Sequence, residues 1–155
     1  MKLFLTCLLT LISASATFGQ KARSSIADNP GFETYFRKNI RFPARAQEQG
    51  KGGRLYLYFT INKQGEFVDA NVENPNGIDD LFVEEVKQVS RKVQAQGANY
   101  AGHYSLPISF THSINNPIPV ARTDKETRFL EASQDRVILN ELIVEIYGPP
   151  MRKRI

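Results

Sequence analysis

The feature that most constrains the fold is a run in which Leu55, Leu57, Phe59 and Ile61 alternate with Tyr56, Tyr58 and Thr60. Period-two alternation defines a strand, and because both of its faces carry large groups the strand belongs at the centre of a sheet. Asn62-Lys63-Gln64-Gly65 follows as a tight turn, with Gly65 supplying the positive φ that such turns need. Val68, Ala70 and Val72 then face one side, and Asp69, Asn71 and Glu73 the other, as expected of a half-solvated second strand that ends at Asn74-Pro75-Asn76-Gly77.

Helical spacing flanks this hairpin. Phe32, Tyr35, Phe36 and Ile40 form an amphipathic stripe, with Arg37 and Lys38 placed where they complement the helix dipole. Pro43 suits the first turn of a second short helix reaching Gln49, stopped by Gly50, Gly52 and Gly53. After the hairpin, Asp79 or Asp80 caps a helix whose stripe is Phe82, Val86, Val89 and Val93. A polar loop from Gln94 to Gly102 leads into a third strand, Tyr104, Leu106, Ile108 and Phe110, in which Pro107 lacks a ladder donor and so argues for an edge. Asn115 to Pro119 is a break, and Lys125 to Asp135 has little helical character. Val137 to Gly148 is dense in β-branched residues and reads as one further strand. The expected class is α+β: two helices packed on one face of a small antiparallel sheet, with an additional C-terminal strand near 137–147.

The rest of the chain limits its chemistry. An apolar fraction of 41% suits one globular domain with extensions. Lys2, the apolar run Leu3 to Ile12 and the small residues up to Gly19 have the make-up of a secretory signal peptide. Leu3 to Phe18 as a helix would extend about 24 Å, short of the roughly 30 Å of a bilayer core, so no stable membrane anchor is expected after cleavage. The sequence therefore divides into a signal peptide at 1–19, a leader at 20–31, a domain at 32–113 and an extension at 114–155. Cys7, the one cysteine, lies in the first of these, too near the N-terminus to begin a lipoprotein. A net charge of +4 is too dispersed for nucleic-acid binding, and Arg152-Lys153-Arg154 reads as a solubilising terminus. His103 and His112 would stand roughly 30 Å apart along an extended strand and cannot share a metal. Asp79-Asp80 and Glu84-Glu85 read as a solvated helix face, and no phosphate loop, nucleophile elbow or zinc-protease helix is present. No catalytic residue, metal or cofactor is assigned.

The stretch from Phe32 to Val72 resembles the opening half of the TonB C-terminal domain, the periplasmic module that grips outer-membrane transporters. Pro43-Ala44-Arg45-Ala46-Gln47 is similar to the Pro-Ala-Arg-Ala-Gln run that follows a tyrosine in that family, with Phe42 in the tyrosine's place. The element order extends the resemblance to Thr111. It implies a periplasmic module to which an extended receptor segment adds as a strand. The edge so implied runs from His103 to Thr111 and includes Tyr104, Ser105, Leu106, Ile108 and Phe110, while Arg41, Phe42, Pro43, Arg45 and Gln47 face the partner. The partner that the resemblance implies is an outer-membrane receptor or another envelope protein. Only about a dozen residues separate the expected cleavage site from Phe32, a reach of at most about 40 Å, so an energy transducer working alone is not expected. The tail adds a complication. Leu139-Asn140-Glu141-Leu142-Ile143-Val144 and Tyr147-Gly148 resemble the receptor stretch that such domains bind. Leu139, Glu141, Leu142, Ile143, Val144 and Tyr147 could therefore pair with the third strand of their own chain and regulate access, form a homodimer with a second copy, or simply add a packed strand.

Overall fold

The computed structural model describes residues 25–113 and 121–147. Its helices are α1 (Pro30–Asn39), α2 (Ala44–Glu48), α3 (Asp80–Ser90) and α4 (Asp124–Glu131); its strands are β1 (Gly53–Ile61), β2 (Phe67–Glu73), β3 (Gly102–Ser113), β4 (Val137–Ile138) and β5 (Leu142–Tyr147). The fold is α+β with a mixed five-stranded sheet. β1 lies between β2 and β3, antiparallel to both, and β4 and β5 run parallel to β3 along its far side. The expected signal peptide, the break at Asn115 to Pro119 and the basic terminus lie outside the described residues.

The helix-covered face holds the main core. Leu55, Leu57, Phe59 and Ile61 of β1 and Tyr104, Leu106, Ile108 and Phe110 of β3 pack against Phe32 and Phe36 of α1 and Phe82, Val86 and Val89 of α3. Tilted ring pairs join helices to sheet, with Phe82 and Phe110 centred 4.5 Å apart and Phe32 and Phe59 5.2 Å apart, and Phe59 stacks on Tyr104 of the neighbouring strand at 5.4 Å. Such pairs contribute about 0.5–1.5 kcal/mol beyond area burial. α1 begins earlier than the phenylalanine stripe indicates. Asn29 caps it by accepting from the Gly31 N–H, Pro30 occupies its first turn, and the preceding 3-10 turn buries Ile26 completely. Part of the expected leader thus belongs to the core.

Two expectations change for identifiable reasons. The second strand does not keep Val68, Ala70 and Val72 on one face, because β2 bulges: Thr60 pairs with Val68 but Tyr58 pairs with Asn71, and Asp69 sits at φ 53°. The extra residue shifts the alternation, so Val72 stays opposite Leu57 while Phe67, opposite Ile61, enters the core. The sheet is mixed rather than antiparallel because the segment after β3 is not a hairpin. It carries α4, and a helix-bearing crossover returns the chain parallel to the strand it left. α4 exists through a capping box: the Thr123 hydroxyl accepts from the Glu126 N–H, and the Glu126 carboxylate accepts from the Thr123 N–H.

The β1–β2 turn is built as its sequence indicates. The Asn62 side chain accepts from the Gln64 and Glu66 N–H groups, and Gly65 adopts φ +84° against the backbone of Gly97, where a Cβ would lie 2.7 Å from a carbonyl carbon. Gly77 also has positive φ, but a Cβ there would meet nothing within 4 Å. In denaturant unfolding, Gly77→Ala should therefore cost roughly 1 kcal/mol through backbone strain alone, and Gly65→Ala at least about 2 kcal/mol because a clash is added. Equal costs would contradict the close Gly65–Gly97 approach.

Candidate functional site

β3 is an interior strand. Gly102–Ser113 uses one side against β1 and the other against the tail, and Tyr104, Ser105, Leu106, Ile108 and Phe110 are all buried. The edge inferred from Pro107 is therefore filled, within the same chain, by β4 and β5. Pairing joins Tyr104 to Val137 and Ser105 to Ile138, lapses opposite Leu106 and Pro107, and resumes from Ile108–Leu142 to Ser113–Tyr147. The lapse coincides with the proline, which has no N–H to donate, and it splits the expected single strand in two. Within it the Leu139 N–H donates to the Ser105 carbonyl at 2.8 Å, Leu139 turns into the core, and Glu141 reaches across β3. Of the tail residues, Leu139 and Leu142 are core, Val144 packs against it, and Ile143 and Tyr147 are exposed at 42% and 74%.

The residues of the Phe-Pro-Ala-Arg-Ala-Gln step divide similarly. Phe42 is half-buried and meets Phe82, Phe110 and His112 edge-on at 5.5, 5.8 and 5.2 Å. Arg41 and Arg45 are exposed, Pro43 and Gln47 half-buried. The Arg41 N–H donates to the Glu85 carboxylate at 2.7 Å, which fixes the link between α1 and α2 to α3. His103 is exposed, with its Nδ1 3.1 Å from the Thr60 hydroxyl, and His112 keeps both ring nitrogens buried and without a hydrogen-bond partner. A groove of about 400 Å³ is lined by Arg37, Ile40, Arg41 and Phe42 and by Ile143, Val144, Glu145 and Ile146 of β5.

The second face of the sheet holds a polar cluster. Arg54, on β1 and only 3% exposed, directs its guanidinium at the tail: Nε is 2.8 Å from Glu141 and Nη1 is 3.5 Å from Glu126. Glu126 is fully buried and also accepts from the Tyr56 hydroxyl at 3.1 Å and the Thr123 N–H at 2.7 Å. Ser109 accepts from Arg54 Nε at 3.1 Å and donates to Glu141. Around this cluster Phe129 packs on Tyr56 and Tyr58, each at 5.5 Å, and the Arg136 guanidinium lies 3.8 Å from the centre of the Tyr58 ring. Burial works against a charged Arg54, but the hydrogen bond and charge of Glu141 and the charge of Glu126 outweigh it and hold its pKa above the usual value. Burial likewise opposes ionisation of Glu126, yet the Thr123 N–H, the Asn76 side chain, Arg54 and Tyr56 together hold its carboxyl below the usual range. Tyr56 is pushed up from 10.0 to about 12, by burial first and then by the negative charge of Glu126.

Arg54, Glu126, Phe129 and Arg136 are absent from the expected site. Two signals existed: an arginine on the same face as Tyr56 and Tyr58, and the Thr123-x-x-Glu126 capping pattern. Among the described residues no group of three or more His, Cys, Asp or Glu could hold a metal ion, and no helix is long and apolar enough to cross a membrane.

No protein-family model matches the chain, and no curated protein matches it. Among solved structures it is similar to the NMR solution structure of the Helicobacter pylori TonB-CTD (residues 194-285), at 26% identity with a TM-score of 0.39, over 52% of this chain and 89% of that one.

Breaking one member of the buried pair leaves a desolvated charge, so Glu126→Ala or Arg54→Ala should cost about 3–5 kcal/mol in denaturant unfolding. A cost under about 1 kcal/mol would contradict the pair. The pH dependence follows from the same groups. Because its folded value is lowered, Glu126 contributes stability above the ordinary carboxylate range that is lost as pH falls through its folded value. Tyr56, raised to about 12, contributes stability that is complete below 10 and lost as pH rises toward 12. Tyr56→Phe should therefore flatten the alkaline limb of a stability–pH curve; an unchanged limb would show that Tyr56 does not generate it.

Proposed function

We propose that the chain is a periplasmic protein-binding module that takes extended segments of outer-membrane receptors or other envelope proteins by adding them as strands to its sheet. The observation that carries this reading is the sheet edge: among the described residues the sheet ends on β2 at one side and on the tail strands at the other, and apolar side chains of the tail stand exposed there. An edge strand presents unpaired main-chain groups that an extended peptide satisfies, each hydrogen bond contributing about 0.5–1.5 kcal/mol net. The resemblance of the Phe32 to Val72 stretch to the TonB C-terminal domain supports the same reading and its envelope setting. Binding rather than catalysis is the role proposed. The exposed apolar residues Val137, Ile138, Ile143 and Tyr147 of the tail strands also favour a second reading, a dimerising or scaffolding protein joined through the C-terminal strands.

Peptides tiled across the periplasm-facing termini of outer-membrane proteins, labelled for fluorescence anisotropy, test the proposal. At least one should bind the full chain, and its copy N-methylated at alternate backbone positions should bind far more weakly. Failure of every peptide to bind, or equal binding of the N-methylated copy, would overturn it. A concentration-dependent dimer that no peptide dissociates would favour the second reading.

A further inference from the structure

We infer that the docking edge is the outer side of β5, and that it takes an extended apolar segment carrying acidic side chains. This rests on the strand-addition reading above and fixes its place and chemistry.

The two outer strands differ in how they resist pairing. β2 carries a bulge, a residue at positive φ in Asp69, and exposed Asp69, Ala70 and Asn71. Bulges and charges of this kind are what proteins use to keep an edge free of partners. β5 has no bulge and no residue at positive φ, and its one charge is the half-buried Glu145. Leu142-Ile143-Val144-Glu145-Ile146-Tyr147 contains no proline, lysine or glycine, pairs regularly with β3 along its whole length, and exposes Ile143 and Tyr147. An extended, regular, apolar strand left open is an expensive feature in a soluble domain unless something covers it.

The surroundings of that edge define what covers it. The groove beside β5 on the helix side lies where alternate side chains of an added strand would fall. Ile40 and Phe42 give it an apolar floor, and Arg37 and Arg41 give it positive charge. Arg37 is shared with Glu33 at 2.5 Å, an exposed i,i+4 pair, whereas the Arg41 guanidinium has no acidic partner among the described residues. Glu145, the acid of β5, also lines this groove, but it pairs in register with Thr111 and its carboxylate accepts from the Tyr147 hydroxyl at 2.6 Å, and it forms no ion pair with Arg41 among the described residues. A carboxylate on the incoming strand complements Arg41, and a lysine there does not. The tail is itself held by Glu126, Leu139 and Leu142, all buried, so a partner meets β5 in place rather than displacing it from β3.

The test uses the full chain and a labelled peptide of alternating valine and glutamate matched in length to β5, with a valine–lysine peptide and an N-methylated valine–glutamate peptide as controls. The valine–glutamate peptide should bind about tenfold tighter than the valine–lysine one, and Arg37→Glu/Arg41→Glu should reverse that order. Both arginines are exposed, but Arg37→Glu removes the pair with Glu33 and sets an acid in the last turn of α1, so a modestly lower Tm is expected and binding is compared at a temperature where both proteins are folded. Amide exchange should show new protection in β5. Binding that ignores the charge reversal, or protection that appears on β2, would overturn the assignment to β5 while leaving strand addition intact. β5 protection that rises with protein concentration in the absence of peptide would give the edge to a second copy and also overturn it. If neither these peptides nor the tiled outer-membrane segments bind, both this assignment and the strand-addition reading fail.

Discussion

The buried guanidinium of Arg54 is the constraint on which the second half of the structure depends. A cation in the middle of a sheet face is costly unless its charge is met and its N–H groups are bonded. Both of its described ion pairs come from the segment after residue 120, Glu126 on α4 and Glu141 between β4 and β5. The pair need not add net stability over an apolar packing of the same volume. Its physical effect is to fix which residues of the tail lie over which residues of the sheet. With Glu126 at Arg54, Phe129 falls on Tyr56 and Tyr58; with Glu141 at Arg54, Leu142 falls opposite Ile108.

That registration explains why the tail is part of the domain. α4 covers the face of the sheet that α1 and α3 leave bare, and β4 and β5 fill the far side of β3. The consequence for binding is a relocation. The strand that the resemblance assigned to a partner is interior, and among the described residues β5 is the outer strand on that side, beside the groove lined by Arg37, Ile40, Arg41 and Phe42. A self-complementing strand of this sort fills one sheet edge and leaves an outer strand with different side chains.

Much of this was legible in the residues. The alternation of β1, the Asn62 to Gly65 turn, the stripe of α3 and the β character of the tail all follow from local periodicity and turn chemistry. The parts that were not legible depend on single residues acting over distance. Asp69 in a positive-φ conformation shifts β2 by one residue, and no alternation pattern shows a bulge. α4 has weak intrinsic helical character and is fixed by Thr123 and Glu126 together with their burial against Arg54 and Tyr56. Pro107 was read as the sign of an edge, but it marks only the place where a neighbouring strand detaches. Of the site, the strand chemistry of Ile143 to Tyr147 was legible in the residues and the resemblance alone set Arg41 on a partner-facing surface; that the two line one groove is a matter of tertiary placement.

The central claim is that the tail is bound into the domain as one cooperative unit through Arg54. Native-state hydrogen exchange measured across increasing denaturant addresses it directly, because it reads the opening free energy of each element separately. The amides of α4 and β5 should merge with those of β1 and β3 into a single global opening. Exchange of α4 and β5 through an opening several kcal/mol below that of β1 would contradict the account, since it would make the tail a detachable strap over a domain complete without it.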